Sequence, residues 1–108
     1  MSGECVIGLD IGGTKIAGGV VAFPEGLVRC RRTIATRADR GGEPVLQDVI
    51  ALARELLHEA HAMRLEPIGI GAGVAELVDL SGNVTSSATI RWKGTPVAGR
   101  LSEIAPAV

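Results

Sequence analysis

Tyrosine is absent from this 108-residue chain, and Phe23 and Trp92 are its only aromatic side chains. Stacking platforms for single-stranded nucleic acid, which need several exposed rings, are thereby excluded. Charge of one sign is equally scarce: eleven Lys and Arg against twelve Asp and Glu leave a formal net charge of -1. That balance supplies no field to draw nucleic acid or an anionic membrane. No apolar run approaches the ~18 residues of a membrane span, because glycine or charge interrupts each one. The opening Met1-Ser2-Gly3-Glu4 lacks the basic and then apolar order of a secretion signal, so a cytoplasmic location is expected. The two cysteines, Cys5 and Cys30, form no CxxC pair and lie in apolar stretches. They read as small buried hydrophobes in a reducing compartment, with a disulfide as the lesser alternative.

What the chain has in quantity is small and aliphatic. Hydrophobic residues make up 46% of it, with fifteen glycines, and the mean hydropathy is +0.32. A chain of this length is expected to bury roughly 60–70% of its unfolded surface, enough for one core but not for two lobes around a cleft. So apolar a composition is also what a chain shows when one face packs on a further part of a protein.

Glu4 to Asp10 reads as a buried strand, Lys15 to Phe23 as a second and Leu27 to Thr36 as a third. Short turns at Ile11–Thr14 and Pro24–Gly26 imply an antiparallel meander. Gly18 and Gly19 mark a bulge or a close approach. After a polar loop, Pro44 suits the first turn of a helix. Val45, Val49, Leu52, Ala53, Leu56, Leu57, Ala60 and Met63 make its apolar stripe, opposite Asp48, Arg54, Glu55, His58 and Glu59. Pro67 to Val74 is a fourth strand whose alternating glycines suggest that a backbone or ligand passes close by. Val84 to Ala88 reads as a further short strand and Pro96 to Ile104 as a short helix.

The segment richest in chemistry is Gly8-Leu9-Asp10-Ile11-Gly12-Gly13-Thr14-Lys15. It is not a Walker loop, since Thr14 precedes Lys15 and a strand rather than a helix follows. It is not G-x-G-x-x-G either, because the glycines are adjacent. What fits is a hairpin whose turn offers backbone N–H groups and the Thr14 hydroxyl to phosphate oxygens. Glycines there allow positive φ and keep side chains away. Asp10, at the strand end, would face the water shell of a magnesium ion on those phosphates, and Lys15 would add a point charge. Taken alone, the same residues also describe an ordinary tight turn capped by Asp10. His58-Glu59-Ala60-His61 is not a zinc motif, since its histidines are three apart, and reads as a solvated helix face.

Leu9-Asp10-Ile11-Gly12-Gly13-Thr14-Lys15 resembles the phosphate motif of the sugar-kinase, hexokinase, heat-shock-protein and actin superfamily, and more narrowly that of the ROK family of bacterial sugar kinases and sugar-responsive repressors. Gly71-Ala72-Gly73-Val74-Ala75-Glu76-Leu77-Val78-Asp79 with Ser81-Gly82-Asn83-Val84 is similar to a second segment of that family. Trp92-Lys93-Gly94-Thr95-Pro96-Val97 is similar to a third. The three occur in the family's order across nearly the whole chain. The chain departs from the pattern at Ala75, where proline is usual, and at Ser86–Arg91, where an asparagine-containing loop is common.

The resemblance implies an α/β fold of the ribonuclease H-like or actin-like ATPase type: a β-β-β-α-β mixed sheet with flanking helices. Residues 1–108 would form the N-terminal lobe, with the C-terminal lobe lying beyond Val108. It implies transfer of the ATP γ-phosphate to a sugar hydroxyl, with ATP and Mg²⁺ held at Asp10, Gly12, Gly13, Thr14 and Lys15, and with Asp10 reaching the metal through water. Glu76 and Asp79 flank the implied sugar cleft, although surface loop carboxylates are the plainer reading, and Trp92 would stack on the sugar, although a packing indole is the plainer reading. The family's catalytic Asp, in an Asn-Asp motif, and its zinc motif would both follow Val108, so the chain has no catalytic-base candidate. The implied partners are a sugar, a nucleotide, the second lobe and a second copy in a homodimer. A sugar-responsive regulator of the same fold and a non-catalytic remnant are the alternatives.

Overall fold

The computed structural model describes residues 3–108. Four strands make one sheet: β1 (Gly3–Ile11), β2 (Lys15–Ala22), β3 (Leu27–Ala35) and β4 (Leu65–Val74), in the spatial order β3-β2-β1-β4. The first three run antiparallel as a meander, as their short turns require, and β4 lies parallel to β1. A parallel neighbour needs a crossover. It is supplied by α1 (Gly42–Ala62), reached through a 3-10 turn at Ala38–Arg40. A short helix, α2 (Val97–Ser102), follows the long loop after β4.

The pleat sorts β1 cleanly. Cys5, Ile7, Leu9 and Ile11 are buried against α1, while Asp10 on the alternate face is exposed. On β2, Ile16, Gly18 and Val20 share the buried side. Gly18 is there for space: a Cβ would come within 2.7 Å of Leu56 Cδ1 and 3.3 Å of Leu52 Cδ2. The helix therefore sits close on the sheet, and its leucines fill the gap a side chain would occupy. The irregularity in the β2–β3 pairing lies beyond these glycines, between Val20 and Val21.

The stripe on α1 is wider than the sequence indicates. Leu46 and Ile50 are buried as well, in a core cluster that also holds Trp92 and, from α2, Val97 and Leu101. Among the glycines of β4, the close backbone approach is at Gly69, where a Cβ would meet the Ala107 carbonyl oxygen at 3.0 Å. The Ile70 N–H donates to that same oxygen at 2.8 Å, so the segment before Val108 caps the outer edge of the sheet.

One expected element does not form. Val84–Ala88 makes a single antiparallel bridge, Val78 with Val84, and is otherwise loop. The amide of Ala88 is taken by a carboxylate rather than by a neighbouring strand. Cys5 is buried, Cys30 half-buried, and both are free. No helix among the described residues is long and apolar enough to cross a membrane.

Candidate functional site

The turn between β1 and β2 is built on the last paired residues, Ile11 and Ile16. Both side chains are fully buried and anchor the two strands in the core. The turn closes with the Gly12 N–H donating to the Lys15 carbonyl at 3.0 Å. The Gly13 and Thr14 amides enter no hydrogen bond among the described residues. Thr14 and Lys15 are exposed. Two adjacent N–H donors and a hydroxyl are thus left without protein partners among the described residues, a donor set suited to an anion.

Neither Gly12 nor Gly13 has positive φ, which corrects the expectation that glycine serves here by conformational freedom. Glycine serves by size. A Cβ on Gly13 would collide with Thr89 Cγ2, and one on Gly12 would come within 3.0 Å of the Lys15 carbonyl oxygen.

Asp10 stands one residue before the end of β1, on the sheet face away from α1. Its cross-strand neighbours are Ala17 on β2 and Gly73 on β4. Both are too small to cover it, and the exposed carboxylate accepts no hydrogen bond among the described residues. It borders a shallow groove of about 370 Å³ that runs along Gly8, Gly19, Gly71, Val28 and Arg31. The groove does not include Gly12–Lys15, of which Gly12 and Gly13 are half-buried and Thr14 and Lys15 exposed. The residues present are chemically compatible with a phosphate and its metal: two unused amides, no side chain on Gly12 or Gly13 themselves, and an exposed carboxylate near the strand end of the kind that accepts from a hydrated cation. Among the described residues no cluster of three His, Cys, Asp or Glu side chains offers direct metal ligation, so an ion here would be held mainly by the phosphates. His58 and His61 are both exposed on α1.

Sequence reasoning missed the residue that shapes the turn. Thr36, just past β3, is the only fully buried polar side chain among the described residues. Its hydroxyl donates to the Gly12 carbonyl at 2.6 Å, and its N–H donates to the Thr14 carbonyl at 2.9 Å. Its own carbonyl accepts from Arg40 at 2.9 Å, and Arg40 pairs with Asp48 on α1 at 2.6 Å. One threonine thus links the phosphate-type turn, β3 and α1. Thr36 is 24 residues from Gly12, and no local pattern announces such a contact.

Trp92 and Glu76, both expected beside a sugar, are each engaged by the chain itself. Trp92 is fully buried, and its indole N–H donates to the Gly42 carbonyl at 2.8 Å. The ring packs on the first turn of α1 and presents no face for a sugar to stack on. Glu76 is half-buried in the loop after β4. One carboxylate oxygen accepts from the Ser86 hydroxyl (2.6 Å) and the Ala88 N–H (2.9 Å). The other accepts from the N–H groups of Thr89 and Ile90, both at 2.6 Å. Burial opposes the charge, but the hydroxyl and the three amides outweigh it and hold the Glu76 carboxyl at about 2. The carboxylate is engaged by the chain itself rather than turned toward a cleft.

Comparison with known proteins matches a family model described as the ROK family over residues 6–105. Among solved structures the chain is similar to the ROK hexokinase from Thermus thermophilus, at 28% identity and a TM-score of 0.75 over 96% of this chain. It is also similar to the inorganic polyphosphate/ATP-glucomannokinase from Arthrobacter sp. strain KM, at 26% identity and a TM-score of 0.71 over 93% of this chain. The chain spans 33% and 40% of those two proteins. No curated protein matches it.

Proposed function

This chain belongs to the ROK family, and from that premise we propose that it supplies the phosphate-binding lobe of an ATP-dependent sugar kinase. The observation that carries the reading is the β1–β2 turn. Two free amides and the exposed Thr14 hydroxyl stand beside an uncovered carboxylate, in a chain whose solved relatives include a hexokinase and a glucomannokinase. Phosphoryl transfer asks a protein mainly for positioning and charge stabilisation. The Gly13 and Thr14 amides and the Thr14 hydroxyl hold phosphate oxygens, and the small residues at 12 and 13 let the backbone approach them. Lys15 adds positive charge at the rim. Asp10 orients the water shell of a magnesium ion, which when bound offsets the charge of the phosphates. The base that takes the proton from the sugar hydroxyl has no candidate in these 108 residues and belongs to a second lobe.

The test is kinetic and uses a ROK protein that contains this chain together with a second lobe. Asp10→Asn keeps the size of the side chain and removes its charge. Turnover should fall on the order of a hundredfold or more while sugar affinity changes little, since the charge matters most as the transition state forms. Turnover within about threefold of wild type together with collapsed sugar binding would show that this turn does not serve phosphate and metal. The 108 residues alone should release no ADP in response to sugar.

A further inference from the structure

Glu76 has a role that the sugar-kinase reading does not assign. Its two oxygens gather Ser86, Ala88, Thr89 and Ile90 into one compact loop, and Thr89 from that loop lies directly over Gly13. Ile90 is fully buried, which pins the far end of the loop in the core. Thr89 itself is exposed, and its hydroxyl enters no hydrogen bond among the described residues. The loop therefore closes one side of the turn, and any side chain at position 13 would have to displace the Thr89 methyl group.

We infer that Glu76 is a positioning residue: by holding residues 86–90 it fixes Thr89 against Gly13 and so sets the geometry with which the turn meets a phosphate. The inference rests on the phosphate reading of the turn for its functional part and on geometry alone for its structural part. A carboxylate suits the site because three backbone N–H groups, which can only donate, converge on its two oxygens together with the Ser86 hydroxyl. A glutamine in its place would set its NH₂ group against the Thr89 and Ile90 amides or, if turned to let the Ser86 hydroxyl accept, against the Ala88 amide, leaving at least one backbone donor unpaired. The loop would then release although side-chain size is unchanged.

Asp79 supplies the control. Its carboxylate also organises a loop, accepting from the amides of Ser81 and Asn83 at 2.9 Å each, but that loop includes no residue in contact with Gly13. The experiment follows amide exchange and chemical shifts by NMR in the 108-residue chain, with Mg·ADP as the probe. Glu76→Gln should speed exchange at Ala88, Thr89 and Ile90 about tenfold or more, shift the Gly13 resonance and weaken Mg·ADP binding several-fold. Asp79→Asn should loosen its own loop and leave Gly13 and Mg·ADP affinity as they were.

If Glu76→Gln unfolds the chain, Thr89→Gly removes the contact while sparing the bonds to Glu76, and it should still shift Gly13. A released loop with an unmoved Gly13 resonance, equal effects from Asp79→Asn, or unchanged exchange at residues 88–90 would overturn the inference. Should wild type fail to bind Mg·ADP while Gly13 still responds to Glu76→Gln, the coupling stands and the phosphate reading falls.

Discussion

Replacing Thr36 with valine separates the hydrogen bond from the packing at the base of the phosphate turn. Valine has nearly the same shape but no hydroxyl, so the 2.6 Å bond to the Gly12 carbonyl is lost while the buried volume stays filled. The Thr36 amide still reaches Thr14, so the turn keeps one of its two ties to this residue. Losing a bond to a half-buried carbonyl costs about 1–2 kcal/mol, because water partly replaces the hydroxyl. For a domain of this size that lowers the melting temperature by about 4–12 °C. Thermal unfolding followed by circular dichroism measures it.

Thr36→Ser serves as the partner variant. It retains the hydroxyl and removes a methyl group, costing roughly 0.8 kcal/mol or somewhat more. The two changes differ most at the turn. Valine should displace the Gly12 and Gly13 resonances and weaken Mg·ADP binding, whereas serine should leave both near wild type. A valine variant melting within about 1 °C of wild type, or a serine variant disturbing the turn more than valine does, would refute the assigned role.

Gly13→Ala should displace Thr89 or the turn, with loss of stability and altered resonances in residues 86–90; an unchanged melting temperature would show that the contact is easily relieved. Glu76 predicts a pH dependence. Its folded carboxyl lies near 2 against an ordinary 4.5, so between these values the unfolded chain binds more protons. Its contribution to stability is complete above about 4.5 and is lost as pH falls toward 2. Denaturant titrations should therefore show a shallower acid slope for Glu76→Gln than for wild type, and equal slopes would contradict the assignment. Leu77, Val78 and Leu80 in the loop after β4 are 70%, 48% and 109% exposed, and Phe23, Leu27 and Val28 are exposed around the β2–β3 hairpin. The 108-residue chain should self-associate or bind a hydrophobic dye, and Leu80→Ser should reduce this; a dye-free monomer at high concentration would count against a face that packs on a second lobe.

The parts of this fold visible in the sequence are those set by local pattern. A continuous apolar, partly β-branched run marks β1 and the short turns mark the meander, while the three- and four-residue spacing marks α1. Leu46 and Ile50 lie outside that stripe yet are buried, in a core cluster that draws in Trp92 and α2 from dozens of residues away. Val84–Ala88 has a strand's composition but no strand beside it, and Glu76 instead organises the segment just beyond its single bridge. The tight β1–β2 turn was legible from its residue types, but the cause of its glycines was not. The constraint is steric: at Gly12 it comes from the Lys15 carbonyl within the turn, and at Gly13 from Thr89, which approaches only in the folded chain. Thr36 illustrates the same limit. At the end of a strand it has no local mark, and the turn it supports precedes it by more than twenty residues.

The central claim is that the β1–β2 turn holds the phosphates of a nucleotide. Titration of the isotopically labelled chain with Mg·ADP tests this most directly, read at the amides of Asp10 and Gly12–Lys15. The account predicts saturable shifts centred on Gly13 and Thr14, with an affinity on the order of millimolar for a lobe without its partner. Inorganic phosphate should compete, and Asp10→Asn should reduce the magnesium dependence. No shift up to about 10 mM, or shifts centred away from this turn, would contradict it.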